Sequence, residues 1–316
     1  MPQPQPPPAR QDLPIRDVLV VGAGPAGLTA ATYLARFRRD ALVVDAGASR
    51  ARWIPASHNC PGFPHGIGGD ALLSRLREQA AGVGVRIEHG RITRLARDGD
   101  GFVAEAADGR AWRVRHVLLA TGIVDVLPAM DDVDAAIASH ALRLCAICDG
   151  YEATDERIGV LAPIDEAIRH AAFLRTFSQR VFAIPSEPGE ASPDCLALAR
   201  DAGVVVTAPA TALRRGPDGG CELRTGDARV QVDTLYPVLG ADAQSGLARR
   251  LGAAVEAGGE LRVDGHQQTS IDGLYAIGDV VSGLNQISVA MGHAAIAATA
   301  IHNRLPRVLR EAQPTG

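Results

Sequence analysis

The chain has 316 residues, 47% hydrophobic and 22% charged, with 34 Gly and 20 Pro, proportions of a globular protein of about two domains that exclude disordered, collagen-like and disulfide-scaffold classes. All 32 basic residues are arginine, which removes pyridoxal and other Schiff-base chemistry and the P-loop lysine clamp. With a formal net charge of −4, no dense basic stripe, no run of 18 apolar residues and no basic-then-apolar leader, neither nucleic acid nor a membrane is an expected partner, and a cytoplasmic enzyme is expected.

Residues 1–12, MPQPQPPPARQD, form a Pro/Gln tail expected to be disordered. Asp17-Val-Leu-Val-Val21 then reads as a strand buried on both faces. Gly22-Ala-Gly24-Pro-Ala-Gly27 follows, then a helix from Leu28 to Phe37 and a second strand, Ala41–Asp45. In this β-turn-α-β setting the glycines have a mechanism. Gly22 permits the tight turn, Gly24 lets the backbone approach a pyrophosphate, and Gly27 allows helix and strand to pack closely. Asp45 stands where an acid bonds a ribose hydroxyl. A Pro/Gly-rich loop, HNCPGFPHGIGG, precedes a helix over 69–81. Strands near 84–89, 91–97, 102–107 and 111–115 read as a small β-insertion, and His116–Ala120 returns to the main sheet before Thr121-Gly122. The first strand–loop–helix is echoed at 157–177. A strand running into Gly278-Asp279 and a small-residue helix from Gln286 to Asn303 close the chain.

Five cysteines stand at 60, 145, 148, 195 and 221. An odd count in a long chain argues against a disulfide framework. Cys145-Ala-Ile-Cys148 fits either a redox pair or half of a zinc site, and no second ligand pair follows at zinc spacing. Cys60 reads as a small hydrophobe or as a third thiol, while Cys195 and Cys221 read as structural. His140, His170, His266 and His293 all read as surface residues, with His293, behind Gln286, the best exception because it could approach the active site.

GAGPAGLTAA at 22–31, HNCPGFP at 58–64, LLATG at 118–122, CAICDG at 145–150, TSIDGLYAIGD at 269–279 and the Gln286 segment together resemble the low-molecular-weight thioredoxin reductase family of flavoproteins, from about 16 to 305. The resemblance implies an α/β fold of two Rossmann-like dinucleotide-binding domains, the second inserted into the first. The FAD-binding domain would be 13–126 and 246–316, and the insert, 127–245, would carry the CxxC. Non-covalent FAD would be held by Gly22, Gly24, Pro25, Ala26, Gly27, Asp45, Asn59, Ile92, Thr121, Gly122, Gly278, Asp279, Gln286 and Ile287. By family position Cys145 meets the substrate, Cys148 faces the flavin and Asp149 shuttles protons. The family's Gly-Gly-Gln-Leu is absent, with Ser49-Arg-Ala-Arg52 near its place, so flavin contacts around 49–55 stay open.

The family's second glycine-rich turn, which binds NADPH, aligns with Ile158-Gly-Val-Leu-Ala162-Pro163-Ile164-Asp-Glu-Ala167. All three loop glycines are replaced. Pro163 lacks an amide donor, and Ile164 is β-branched. Where the family's next strand ends in phosphate-binding arginines, this chain has Pro185-Ser186-Glu187, and Glu187 repels a phosphate. NADPH is therefore not expected. A flavin and a CxxC without a nicotinamide site resemble the NADPH-independent dithiol oxidases that close disulfides in natural products such as gliotoxin, holomycin and romidepsin. That resemblance implies electrons passing from a small-molecule dithiol to the enzyme disulfide, then FAD, then O2, giving H2O2, in a homodimer. Alternatives are a thioredoxin-type disulfide reductase fed by a non-NADPH donor such as ferredoxin, and a flavin redox sensor.

Overall fold

A computed structural model describes residues 13–281, 283–307 and 309; the tail at 1–12 lies outside them. The chain forms two compact units. One takes residues 13–51, Leu72–Val124 and the described residues from 243 onward, and the other Arg52–Ala71 and Asp125–Asp242. The sequence draws the insert at 127–245; the compact unit runs 125–242 and adds 52–71.

The chain runs β1 (Ile15–Val21), α1 (Pro25–Arg36), β2 (Ala41–Asp45), α2 (Gly69–Gly82), β3 (Arg86–His89), β4 (Ile92–Asp98), β5 (Gly101–Ala106) and β6 (Ala111–Leu119). β7 (Ile123–Asp125) leads to α3 (Val133–Ala138), α4 (Ala146–Asp149), β8 (Arg157–Ala162), α5 (Ile164–Leu174), β9 (Arg180–Pro185), α6 (Pro193–Ala202) and β10 (Val205–Val206). Then come β11 (Ala210–Arg215), β12 (Cys221–Thr225), β13 (Ala228–Val232), β14 (Thr234–Pro237), β15 (Ala241–Ala243), α7 (Gly246–Arg249), β16 (Leu274–Ala276) and α8 (Ile287–Arg304).

In the first unit the sheet order is β3-β2-β1-β6-β5-β4, with β16 also on β6. β1 is buried from Val18 to Val21 and pairs in parallel with β2 on one edge and β6 on the other. Such two-sided burial is why its residues are continuously apolar. Helix α1 starts earlier than the sequence suggests, because Pro25 takes the first helical position, where its missing N–H costs nothing. Helices α1 and α8 pack on each other, and both bury small residues, Ala30 and Ala31 on α1 and Ala294, Ala297 and Ala298 on α8.

Two strand assignments are corrected. β3 does not belong to a β-insertion: it pairs in parallel with β2, Leu42 opposite Arg86 and Asp45 opposite His89. Its polar Arg86, Glu88 and His89 suit an exposed sheet edge, and that polarity hides it from an apolar-run reading. Residues 111–119 are one strand rather than two. The first part of β6 pairs with antiparallel β5 (Phe102 opposite Val114), and its last part with parallel β16 (Leu274 opposite Val117).

The second unit has a parallel sheet, β10-β9-β8-β14, beside an antiparallel β11-β12-β13. Ile158, Val160, Ile168, Leu174 and Val181 fill its core at 0% exposure. Each such side chain contributes roughly 1.5–3 kcal/mol of burial. Among the described residues no helix is long and apolar enough to cross a membrane.

Candidate active site

The turn after β1 is built for a backbone-lined cradle. Gly22 has φ +106°, and a Cβ there would stand 2.4 Å from the Ala120 carbonyl oxygen. A Cβ on Gly27 would stand 1.9 Å from the Gly22 carbonyl oxygen. Gly24 caps α1, with Pro25 next. Asp45 Oδ1 accepts a hydrogen bond from the Ala23 amide at 3.0 Å, so the acid at the end of β2 faces the glycine turn. Thr121 donates to the Gln244 carbonyl at 2.7 Å, and the Gln244 amide donates to the Gly122 carbonyl at 3.0 Å, which pins that turn. Gly278 (φ +72°) lies against Ala26, since a Cβ on it would come 3.1 Å from the Ala26 Cβ. Asp279 follows in a 3-10 turn and pairs with Arg50 at 3.6 Å. Gln286 caps α8 and Ile287 is its first residue.

This arrangement fits a dinucleotide. Gly22 and Gly27 keep β1, the turn and α1 close together, because a Cβ at either would strike the chain's own carbonyl oxygens, and that closeness is what a glycine turn at a helix N-terminus needs to present backbone N–H groups to a pyrophosphate. Thr29 Oγ1 on α1 and His293 Nδ1 on α8 are buried without a hydrogen-bond partner among the described residues, a state that costs about 1–3 kcal/mol per group unless something satisfies it. Burial pushes the His293 imidazole down, and the nearby Asp279 charge opposes that. Two candidate residues sit differently. Ile92 is a buried core residue at the start of β4. Asn59 lies in the other unit, its side-chain oxygen accepting from Ser57 Oγ at 3.1 Å. Among residues left open at 49–55, Arg50 emerges as the partner of Asp279, and Ser49 Oγ is the atom a Cβ on Gly24 would meet at 3.3 Å.

In the second unit Cys145 and Cys148 form a disulfide, so the zinc reading of the CxxC gives way to the redox one. The local sequence makes this possible. Cys145 is the extended N-cap of the one-turn helix α4, which brings the two Cα atoms to 5.3 Å. Cys145 Sγ accepts the Cys148 N–H at 3.2 Å. When the bond opens, that donor stabilises a thiolate on Cys145.

Asp149 is largely buried behind the pair. Tyr236 Oη on β14 donates to its Oδ1 at 3.0 Å, and Arg143 Nη1 stands 3.4 Å from its Oδ2. Burial pushes the Asp149 carboxyl above the usual carboxylate range, against the pull of Arg143 and Tyr236. Burial and the Asp149 charge push the Tyr236 hydroxyl up, so it stays protonated and donates. Thr234, two residues before Tyr236 on the same strand face, accepts from Arg143 Nε at 3.4 Å and donates to Glu156 Oε2 at 2.5 Å. His140 is half-buried beside this group and is pushed down by burial and by Arg143. His58, from the 52–71 loop, meets Glu152 at 3.1 Å. Gly66 (φ +76°) makes room for the His58 ring, as its Cβ would come 2.6 Å from it.

Arg143, Tyr236 and the His58–Glu152 pair were not singled out by the sequence. Arg143 carries the one visible signal, a charge inside the apolar run ALRLCAI; Tyr236 carries none. The remaining thiols are buried and free: Cys60 is 4% exposed and raised by burial, which fits the small-hydrophobe reading. Cys195 sits in α6 with Sγ 3.8 Å from the Asp165 carbonyl. Cys221 donates to the Ala141 carbonyl at 3.4 Å, and burial raises its thiol to about 11. His266 is exposed and His170 lies on the surface of α5.

The echo of the glycine turn is closed by the chain's own residues. β8 ends at Ala162, Pro163 caps α5, and Ile164 begins it without a glycine loop. Asp165 Oδ1 accepts the Ser192 amide at 2.9 Å, Ser186 N–H donates to the Ala162 carbonyl at 2.8 Å, and Gly189 lies against Ile164. Segment 186–192 thus crosses the start of α5. Asp165 and Glu166 put negative charge in its first turn, where an anion would otherwise be favoured. Glu187 is exposed on that segment.

A family model described as pyridine nucleotide-disulphide oxidoreductase matches residues 16–294. The chain is 27% identical over 307 residues to the thioredoxin reductase of Mycoplasmopsis pulmonis (strain UAB CTIP), covering 93% of this chain and 98% of that one. It is 29% identical over 297 residues to thioredoxin reductase tcpT of Claviceps purpurea (strain 20.1), covering 89% and 92%. Its fold overlays the crystal structure of HlmI with a TM-score of 0.83 at 30% identity, covering 92% of each chain.

Proposed function

The chain belongs to the pyridine nucleotide-disulphide oxidoreductase family, whose thioredoxin reductase-like members bind FAD, and on that premise we propose that it is an NADPH-independent dithiol oxidase that closes a disulfide in a small molecule. The observation that carries the proposal is the asymmetry between its two nucleotide turns. The turn after β1 keeps every glycine that a cradle needs, whereas the turn after β8 is capped by Pro163 and crossed by 186–192 through the Asp165–Ser192 bond. An oxidoreductase with a disulfide but no hydride entry takes its electrons through the disulfide itself.

The chemistry of the pair balances without a nicotinamide. A substrate thiolate attacks Cys145 Sγ, the Cys145–Cys148 bond breaks, and Cys148 leaves as thiolate. The second substrate thiol attacks the substrate sulfur of the mixed disulfide, forming the product disulfide and releasing Cys145. Two electrons and two protons move to the pair. The Cys148 N–H steadies Cys145 as the second leaving group. Asp149 takes the proton from the attacking thiol. FAD, when bound, supplies the two-electron sink that restores the disulfide, with O2 as acceptor and H2O2 as product. Gly22, Gly24, Gly27, Asp45, Gly278, Asp279 and Gln286 would hold it.

Purified protein given a compact dithiol such as dithiothreitol in air is expected to consume O2 and release H2O2 stoichiometrically. Uptake that needs NADPH contradicts the proposal. Asp149→Asn is expected to slow turnover about 10²-fold, the usual scale for one lost proton acceptor. Because burial raises the Asp149 carboxyl, the acid limb of the wild-type pH profile should lie above the ordinary carboxylate range. Initial rates from pH 4 to 9 check both. A second reading, a disulfide reductase fed by a donor such as ferredoxin, is favoured by the reductase names of the relatives. Flavin bleaching by reduced ferredoxin but not by dithiol would select it.

A further inference from the structure

The geometry points to Arg143 as a positioning residue that keeps the Asp149 carboxylate charged and fixed within the redox turn. This rests on the reading of Asp149 as proton acceptor and names the group that makes it one. The Arg143 side chain is 7% exposed, and a guanidinium so placed is costly unless its charge is matched. Its backbone is tied to β14: the Arg143 amide donates to the Leu235 carbonyl at 2.9 Å, and Leu142 bridges Leu235. Its head lies between Asp149 Oδ2 at 3.4 Å and Thr234 Oγ1 at 3.4 Å. Thr234 can accept because its own proton goes to Glu156. Tyr236 holds the other Asp149 oxygen.

The charged and titratable groups facing Asp149 are Arg143, Tyr236, Glu152 and His140; Glu156 faces Tyr236. Glu152 opposes ionisation of Asp149 but is itself paired with His58. His140 is pushed down by burial and then by Arg143 itself, so its own charge is disfavoured while Arg143 is in place. Arg143 is thus the cation that offsets the burial of Asp149. Without it the carboxyl holds its proton to higher pH and cannot accept one from a thiol. The sign is fixed: loss of Arg143 moves the acid limb upward.

The test reads disulfide opening directly. Oxidised FAD-loaded protein is mixed with dithiothreitol across pH 4–9, quenched with N-ethylmaleimide, and the alkylated thiols counted by mass, with rates divided by those of Asp149→Asn to cancel the reagent's own titration. Arg143→Gln is expected to move the limb up by about 1–3 pH units, the scale of one removed opposite charge, and to approach the wild-type rate above it. Arg143→Lys should restore the wild-type limb. Adding Arg143→Gln to Asp149→Asn should change nothing further. A rate lowered equally at every pH, or the same shift in the Asp149→Asn background, overturns the assignment. Should Arg143→Gln not fold, Tyr236→Phe must move the limb upward by a smaller amount, and an unmoved limb overturns it equally. Failure of dithiol-driven O2 uptake with this pH dependence intact rejects the oxidase reading alone.

Discussion

Cys145→Ser and Cys148→Ser should each bring dithiol-driven O2 consumption down to the free-flavin background while the purified protein stays yellow. The electron pair leaves the substrate only by breaking the Cys145–Cys148 bond, and one remaining thiol offers no bond to break. The loss is therefore complete in both variants rather than graded. The fold should survive because the substitution is nearly isosteric. At 145 a serine hydroxyl can take over the cap now made by Cys145 Sγ with the Cys148 N–H, and serine is a preferred cap. The cradle glycines lie in the other unit and are untouched. FAD absorbance and O2 uptake on the same sample check this; full activity in either variant ends the exchange mechanism.

Gly27→Ala should yield colourless, destabilised protein. Its Cβ would stand 1.9 Å from the Gly22 carbonyl oxygen and 3.2 Å from the Ala120 Cβ, and the first of these is backbone that cannot swing aside. Helix α1 must then move away from β1, which opens the turn that approaches the phosphates. Overpacking of this kind costs about 1–3 kcal/mol. Gly292→Ala is the control, since among the described residues nothing lies within 4 Å of its Cβ. On α8 it should be stabilising by roughly 0.5–1 kcal/mol, the helix cost of glycine relative to alanine. Bound FAD per chain and thermal midpoints of the two variants separate cradle from helix. Full FAD in Gly27→Ala would contradict the cradle.

The glycine turn after β1 is legible as local structure because each of its parts is local. The Val18–Val21 run, Pro25 after Gly24 and the acid at 45 lie within one β-α-β unit, and their chemistry does not depend on distant chain. The lack of a glycine loop between β8 and α5 is legible for the same reason, since Pro163 and Ile164 occupy those positions. β3 was misread because an edge strand needs few apolar residues, and the pairing of Arg86 with Leu42 leaves no period in the sequence. The surroundings of Asp149 were not legible. Tyr236 reaches it across 87 residues, and Arg143 precedes the motif with no spacing rule to mark it. His58 joins the redox turn only through the folded position of Glu152.

The source of this protein's electrons is read most directly from the anaerobic flavin spectrum, recorded in parallel with NADPH and with dithiothreitol. A dithiol oxidase should show rapid bleaching by the dithiol, none by micromolar NADPH, and recovery of colour with H2O2 on admitting air. Bleaching by NADPH on the time scale of turnover, with the dithiol inert, would contradict the oxidase reading.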